Sequence, residues 1–158
     1  MIAEIGLAAL WLAAALAVLQ MISGGFALRG DDAAPNPLAI YVRPAAIVQA
    51  CLAVLAFALL LYAFAITDLS IKLVATNSHS MKPLVYKLTG TWGNHEGSML
   101  LWVGVLALSG GLLAAFEKRL PERTMGATLG VQGFVALGFY AFLLLSSNPF
   151  ERLPVPAL

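Results

Sequence analysis

His95 and Glu96 stand side by side, with glycine on both flanks of the surrounding stretch, directly ahead of a long apolar run. A zincin metal site needs the pattern His-Glu-x-x-His, and Met99 occupies the position of the second histidine. A serine hydrolase needs its nucleophile in a G-x-S-x-G turn, and Ser98 lacks that setting. The stretch therefore predicts no catalytic residue and no metal site, and it leaves open why ionisable groups precede an apolar segment.

The composition is that of a membrane protein. Of 158 residues, 61% are hydrophobic and 11% are charged, whereas a soluble domain has about a quarter charged residues. The net charge of +1 gives no electrostatic basis for nucleic-acid binding. The single cysteine, Cys51, has no partner for a disulfide or a CxxC motif, and it is predicted to be a small residue facing lipid or another helix.

Four uncharged segments are long enough to cross a bilayer, which takes about 20 mostly apolar residues. The sequence predicts an all-α, polytopic membrane protein with four transmembrane helices and one long loop at residues 67–97. Gln20, Gln49 and Gln132 lie within the spans and are predicted to hydrogen-bond neighbouring helices. The predicted spans are residues 5–28, 45–66, 98–116 and 125–145.

The basic residues predict the orientation of the chain. Lys118, Arg119 and Arg123 crowd a very short loop, and cytoplasmic loops are rich in Lys and Arg. We therefore expect the two short loops in the cytoplasm, and both termini and the 67–97 loop on the opposite side, the periplasm in a bacterium. The total count of Lys and Arg is less decisive, with five on the predicted cytoplasmic side and four on the opposite side.

The long loop has local structure of its own. Residues 70–74 partly alternate polar and apolar side chains, which predicts an extended segment lying on a surface. Residues 76–80 have the composition of a turn. The loop is either a simple spacer or a functional element, since connections of this length are uncommon.

Pro83 is predicted to open a short helix within this loop. On that helix Leu84, Leu88 and Trp92 would share one face, which suits a helix lying among lipid headgroups with Tyr86 and Trp92 as anchors. Further along the chain, Ser98 is predicted to cap the third span. Glu96 in the first turn would match the helix dipole, and His95 would be an interfacial polar group.

Separate motifs, in order along the chain, resemble one known family. The pattern WGxHEGSxLLW is the most specific of them, and SNPF closes the fourth span. The chain resembles the N-terminal part of the CcmF family of bacterial cytochrome c maturation proteins, also called haem lyase subunits. The matching segments are residues 1–6, 67–70, 74–78, 82–87, 92–102 and 147–150. Motif residues proposed as structurally or functionally important are Trp92, Gly93, His95, Glu96, Gly97, Ser98 and Trp102.

The resemblance implies a role in joining haem covalently to apocytochrome c in the bacterial inner membrane. Its implied partners are a haem chaperone, apocytochrome c and other maturation membrane proteins. The family's Trp-rich WWD segment and its haem-ligating histidines lie beyond the matched part, so we expect the chain to be an N-terminal fragment, a split gene product or a truncated form. Such a chain would supply scaffold helices and periplasmic surface, and alone it would neither bind haem nor catalyse the reaction.

Two departures from the family pattern bear on the candidate residues. His79 stands where the family has asparagine, and Lys72 where it has an aromatic residue. We therefore do not carry a functional role over to His79. In the family setting we expect His95 and Glu96 to act together in positioning the loop, with no part in bond making. Glu96 would hold His95 or a loop amide by a charge-assisted hydrogen bond.

Two other function classes compete with this interpretation. A membrane anchor or quinone-interacting subunit of a respiratory complex would place haem-ligating histidines within its spans, and the predicted spans contain no histidine. A small transporter would have a broken span or a charge at the midplane, and the predicted spans show neither.

Overall fold

Helices dominate the computed structural model, which describes residues 1–29 and 36–153. Within these two stretches, four helices are long and apolar enough to cross a membrane, which agrees with the predicted all-α class and number of spans. Two short helices lie between the second and third of them. The elements are α1 (Ile2–Arg29), a 3₁₀ helix (Pro37–Tyr41), α2 (Val42–Ile66), α3 (Lys72–Asn77), α4 (Leu84–Gly90), α5 (His95–Phe116) and α6 (Glu122–Leu145).

Each long helix begins about one turn ahead of the apolar segment that predicted it. The helices start at Ile2, Val42, His95 and Glu122, against predicted starts at residues 5, 45, 98 and 125. The prediction placed each boundary just after a charged residue, but the first turn of a helix accommodates such residues. Glu4, Glu96 and Glu122 lie in first turns, where free backbone N–H groups attract negative charge.

The four long helices form an antiparallel bundle. Helix α1 packs against both α2 and α6, and α5 completes the bundle through contacts with α2 and α6. Small residues set the spacing where α1 meets α6: a β-carbon on Gly24 would lie 2.5 Å from the Cα of Gly130. Helices in lipid gain their association from such close backbone approach.

Two of the three intramembrane glutamines connect helices, as predicted. The Gln20 Nε2 group donates to the carbonyl oxygen of Leu129, at 2.6 Å, and to the Oε1 atom of Gln132. The Gln132 Nε2 group donates in turn to the carbonyl oxygen of Leu106, at 2.9 Å. These bonds join α1, α6 and α5. Gln49 is also buried, but it makes no hydrogen bond to any of the residues that the structure describes.

One arginine ties together the end of the bundle where α5 stops and α2 and α6 begin, here called the Arg43 end. The Arg43 Nη1 atom donates to the carbonyl oxygens of Ala114, at 3.0 Å, and of Glu117, at 2.8 Å. Its Nη2 atom pairs with the Glu122 carboxylate at 3.0 Å. Arg43 thereby satisfies carbonyl groups that the C-terminus of α5 leaves free.

The opposite end of the bundle carries α3 and α4 and is called the α4 end. The prediction that residues 70–74 form an extended segment is wrong beyond the first of these residues. Ile71 pairs with Arg152 in an isolated antiparallel bridge, and helix α3 starts at the next residue. The helix buries Leu73 and Val74 against the bundle, so tertiary packing outweighs the alternating pattern.

The rest of this connection is also more helical than expected. Helix α3 continues through Asn77, and the turn falls at Ser80 and Met81. Pro83 opens α4 as predicted. However, α4 ends at Gly90, so Trp92 lies beyond it and does not share its face.

Candidate functional site

An asparagine starts α5 and fixes the turn before it. The Asn94 Oδ1 atom accepts a hydrogen bond from the Gly97 backbone N–H at 2.7 Å, and its Nδ2 group donates to the Gly90 carbonyl oxygen at 2.8 Å. The first bond is an N-cap, and the second holds the end of α4. The prediction that Ser98 caps this helix is wrong. The Ser98 hydroxyl donates to the His95 carbonyl oxygen at 3.0 Å from within the first turn.

The same turn brings two backbone segments into direct contact. The carbonyl oxygen of Thr91 occupies the space that a β-carbon on residue 97 would need. Thr91 is itself buried, so its carbonyl cannot move outward into open space. Glycine at position 97 is therefore a steric requirement of the turn, and Asn94 and Gly97 act together as one structural unit.

His95 connects the start of α5 with the end of α6. Its ring lies edge-on to the Phe142 ring, with centroids 5.3 Å apart and an interplanar angle of 89°. Its Nδ1 atom lies 3.4 Å from the Ser147 hydroxyl oxygen, a long hydrogen bond. Edge-to-face pairs of this kind stabilise a contact by about 0.5–1.5 kcal/mol beyond area burial. The histidine is thus a packing residue that joins two helix ends.

Glu96 faces a small polar cavity of about 50 Å³. Lys72 and Glu151 contribute to its wall and pair with each other at 3.1 Å. Among residues 1–29 and 36–153, the Glu96 carboxylate makes no hydrogen bond or ion pair, so the expected bond to His95 or a loop amide is not formed. The cavity is lined by Lys72, Leu73, Thr76, Glu96, Asn148 and Glu151.

The segment after α6 folds back across this end of the bundle. Asn148 Oδ1 accepts from the Phe150 N–H at 2.9 Å, which closes a turn and directs the Phe150 ring into the core. The Lys72 N–H then donates to the Glu151 carbonyl oxygen at 2.9 Å. The WGNHEGS and SNPF motifs, about 50 residues apart in the chain, therefore meet at one site.

A short ion-pair chain fastens this returning segment to the start of α1. The Arg152 guanidinium lies 2.5 Å from the Glu4 carboxylate, and the amino group of Met1 lies 2.6 Å from the other oxygen of that carboxylate. All three groups are substantially exposed to solvent, so each pair contributes modestly to stability. The contacts join the segment after α6 to the start of α1.

The remaining motif residues lie outside the site where the two motifs meet. Trp92 is partly exposed in the turn after α4, and the Trp102 side chain is 66% exposed on the outer surface of α5. Gly93 lies in the same turn as Trp92. His79 is exposed in the connection between α3 and α4, ahead of Lys82 and outside the motif.

Several residues of the site were not singled out from the sequence. Asn94 could have been recognised, because Asn ahead of an apolar helix is a preferred N-cap. The roles of Ser147, Asn148 and Glu151 depend on the return of the chain after α6, and no local pattern reports that contact. The cluster holds polar groups of both signs in fixed positions, and within the described residues no group of three potential metal-ligating side chains occurs.

Comparison with known proteins finds relatives that share one kind of name. The chain is 48% identical over 153 residues, 97% of its length, to the cytochrome c-type biogenesis protein ccl1 of Rhodobacter capsulatus. It is also 48% identical over 160 residues to the cytochrome c-type biogenesis protein CycK of Bradyrhizobium diazoefficiens. It spans 23% and 24% of these two curated relatives. No protein-family model matches the chain.

A solved structure shows the same arrangement of helices. The cytochrome c haem lyase CcmF superposes on 98% of this chain with a TM-score of 0.86 and 26% sequence identity, and the match covers 25% of that protein. The resemblance predicted from the motifs is confirmed: in sequence and in fold, the chain matches the N-terminal quarter of the CcmF family of cytochrome c-type biogenesis proteins.

Proposed function

We propose that this chain provides the N-terminal membrane scaffold, and part of the periplasmic surface, of a complex that attaches haem to apocytochrome c. The observation that carries the proposal is the superposition on the haem lyase CcmF over nearly the whole chain. The names of the relatives, cytochrome c-type biogenesis proteins, support the same process. On this proposal the partners are a haem chaperone, apocytochrome c and other maturation membrane proteins.

The charge distribution supports an orientation in the bacterial inner membrane. The Arg43 end carries Arg29, Arg43, Lys118, Arg119 and Arg123. We place this end in the cytoplasm, because positive residues close to membrane ends are retained there. The α4 end, with the His95 and Glu96 cluster, then faces the periplasm, where haem is joined to apocytochrome c.

We propose that neither histidine of this chain is a haem ligand. His95 Nδ1 faces Ser147 and its ring packs against Phe142, so the side chain is held by protein contacts. The only other histidine, His79, is exposed between α3 and α4. We propose that the haem ligands lie outside this chain, so the purified chain should show no stoichiometric Soret absorbance.

A chimaera tests the proposed function. The matched quarter of the Rhodobacter capsulatus relative is replaced by this chain, and haem-stained c-type cytochromes are measured in a strain lacking the native protein. A relative that lacks this quarter serves as the control. We expect the chimaera to restore cytochrome c and the shortened relative to fail. Restoration by the shortened relative, or a chimaera that accumulates without restoring cytochrome c, would refute the proposal.

A further inference from the structure

The first turn of α4 exposes apolar side chains that a protein surface in water would normally bury. Its Leu84, Val85 and Tyr86 side chains are 57%, 67% and 66% exposed. The Lys82 ammonium group, in contrast, turns toward the protein and donates to the Asn77 carbonyl oxygen at 2.7 Å. Exposed apolar side chains on three successive residues indicate a contact with another apolar phase.

The position of α4 places this surface at the level where the spans end. The ring of Phe64, near the end of α2, lies 3.3 Å from where a β-carbon on Gly90 would be. The end of α4 therefore lies beside the final turns of α2. Tyr62 and Ile66, in the same turns of α2, are also exposed, as lipid-facing residues are. Helix α4 therefore lies at the level where α2 ends.

The charge and aromatic content of this region match a lipid headgroup layer. Between Asp68 and Glu96 the sequence contains three lysines and no acidic residue. Lys87 lies on α4 itself, whereas Lys72 pairs with Glu151 and Lys82 bonds the Asn77 carbonyl oxygen. Basic residues near a membrane surface are attracted by anionic lipids. Tyr86 and Trp92 are exposed beside them, and these two residue types concentrate at membrane interfaces.

We propose that α4 lies in the interfacial region of the bilayer, with its exposed apolar residues inserted among the lipid acyl chains. This set, called the interfacial surface, consists of Met81, Leu84, Val85, Tyr86 and Trp92. The bound partner is lipid. Insertion would anchor the turn that leads into Asn94 and thereby hold the α4 end at a fixed depth.

Spin labels measure the surroundings of this surface directly. With Cys51→Ala as background, Val85→Cys carries the label in the full chain, reconstituted in nanodiscs of phosphatidylethanolamine and phosphatidylglycerol. Ser80→Cys, in the neighbouring turn, is the control for water, and Phe134→Cys, exposed midway along α6, is the control for lipid. Collision rates with oxygen, which partitions into lipid, and with a water-soluble nickel chelate are compared.

The proposal predicts an oxygen-to-nickel collision ratio at position 85 above that at position 80 and below that at position 134. A ratio equal to that at position 80 would place the helix in water and overturn the proposal. An immobilised label with low collision rates for both reagents would mean that protein covers the surface, which also overturns it. The same measurement in native membrane vesicles extends the test to the protein with its natural partners.

Discussion

The carbonyl oxygen of Thr91 lies in the space that a β-carbon on Gly97 would occupy, so the turn into α5 can close only with glycine at that position. This contact accounts for one of the glycines that flank His95 and Glu96. The start of α5 at His95 also explains why ionisable residues precede an apolar segment. They lie in the first turn of α5, at the α4 end, where Asn94 has already satisfied a free N–H group of that turn.

Replacing Gly97 with alanine should destabilise the protein, because the new methyl group collides with a buried carbonyl. Overpacking of this kind costs about 1–3 kcal/mol. Gly138→Ala on α6 is the matched control, since a β-carbon there meets no atom within 4 Å. Thermal unfolding in detergent should show a lower midpoint for Gly97→Ala only. Equal midpoints for the two variants would contradict the steric explanation.

Asn94 should stabilise the turn through both ends of its amide. Asn94→Ala should cost about 0.5–2 kcal/mol, the range for loss of an N-cap. Asn94→Asp keeps the acceptor for Gly97 but loses the donor to Gly90, so it should recover part of the loss. Hydrogen exchange at the Gly97 amide is the direct readout, with faster exchange expected in the alanine variant. Unchanged exchange in that variant would show that the cap is not needed.

The proposed orientation can be tested with reporters fused after Leu120 and after Ser80. Leu120 lies in the connection between α5 and α6, and Ser80 in the turn between α3 and α4. We expect a cytoplasmic reporter to be active at Leu120, and alkaline phosphatase, which needs the periplasm, to be active at Ser80. Alkaline phosphatase activity at Leu120 would reverse the orientation.

Local sequence patterns predicted the spans well because lipid imposes a simple rule on them. Uncharged segments of sufficient length gave the four long helices, and Gln20 and Gln132 join helices because an unsatisfied amide in lipid is costly. The pattern at Ser98 misplaced the cap by four residues, since Asn94 is the stronger capping residue in context. The helix at Leu73 and Val74 was missed because its burial depends on the bundle.

The meeting of the two motifs was beyond any local pattern. Ser147 and Glu151 reach the site only because α5 and α6 are antiparallel and the chain returns after α6. Such contacts depend on how the helices pack, and hydropathy does not report packing. The family resemblance indicated that both motifs matter, but it did not indicate that they touch.

His95 and Glu96 are expected to serve assembly geometry rather than bond making. In the chimaera with the Rhodobacter capsulatus relative, His95→Ala removes the ring that packs against Phe142, and Glu96→Gln removes the charge beside the polar cavity while keeping its shape. We expect cytochrome c maturation to fall in both variants while the protein still accumulates and the chimaera still binds haem.

The two substitutions act on different contacts, which allows their effects to be separated. His95→Phe keeps a ring of similar size against Phe142 and should retain more maturation than His95→Ala if packing is what matters. Glu96→Asp keeps the charge and should retain more maturation than Glu96→Gln if the charge is what matters. Haem staining of c-type cytochromes, normalised to the amount of chimaera in the membrane, gives the comparison.

If His95→Ala and Glu96→Gln both leave maturation and protein level unchanged, the positioning role is wrong. Glu96 would then only match the helix dipole, and His95 would be an interfacial side chain without a function of its own.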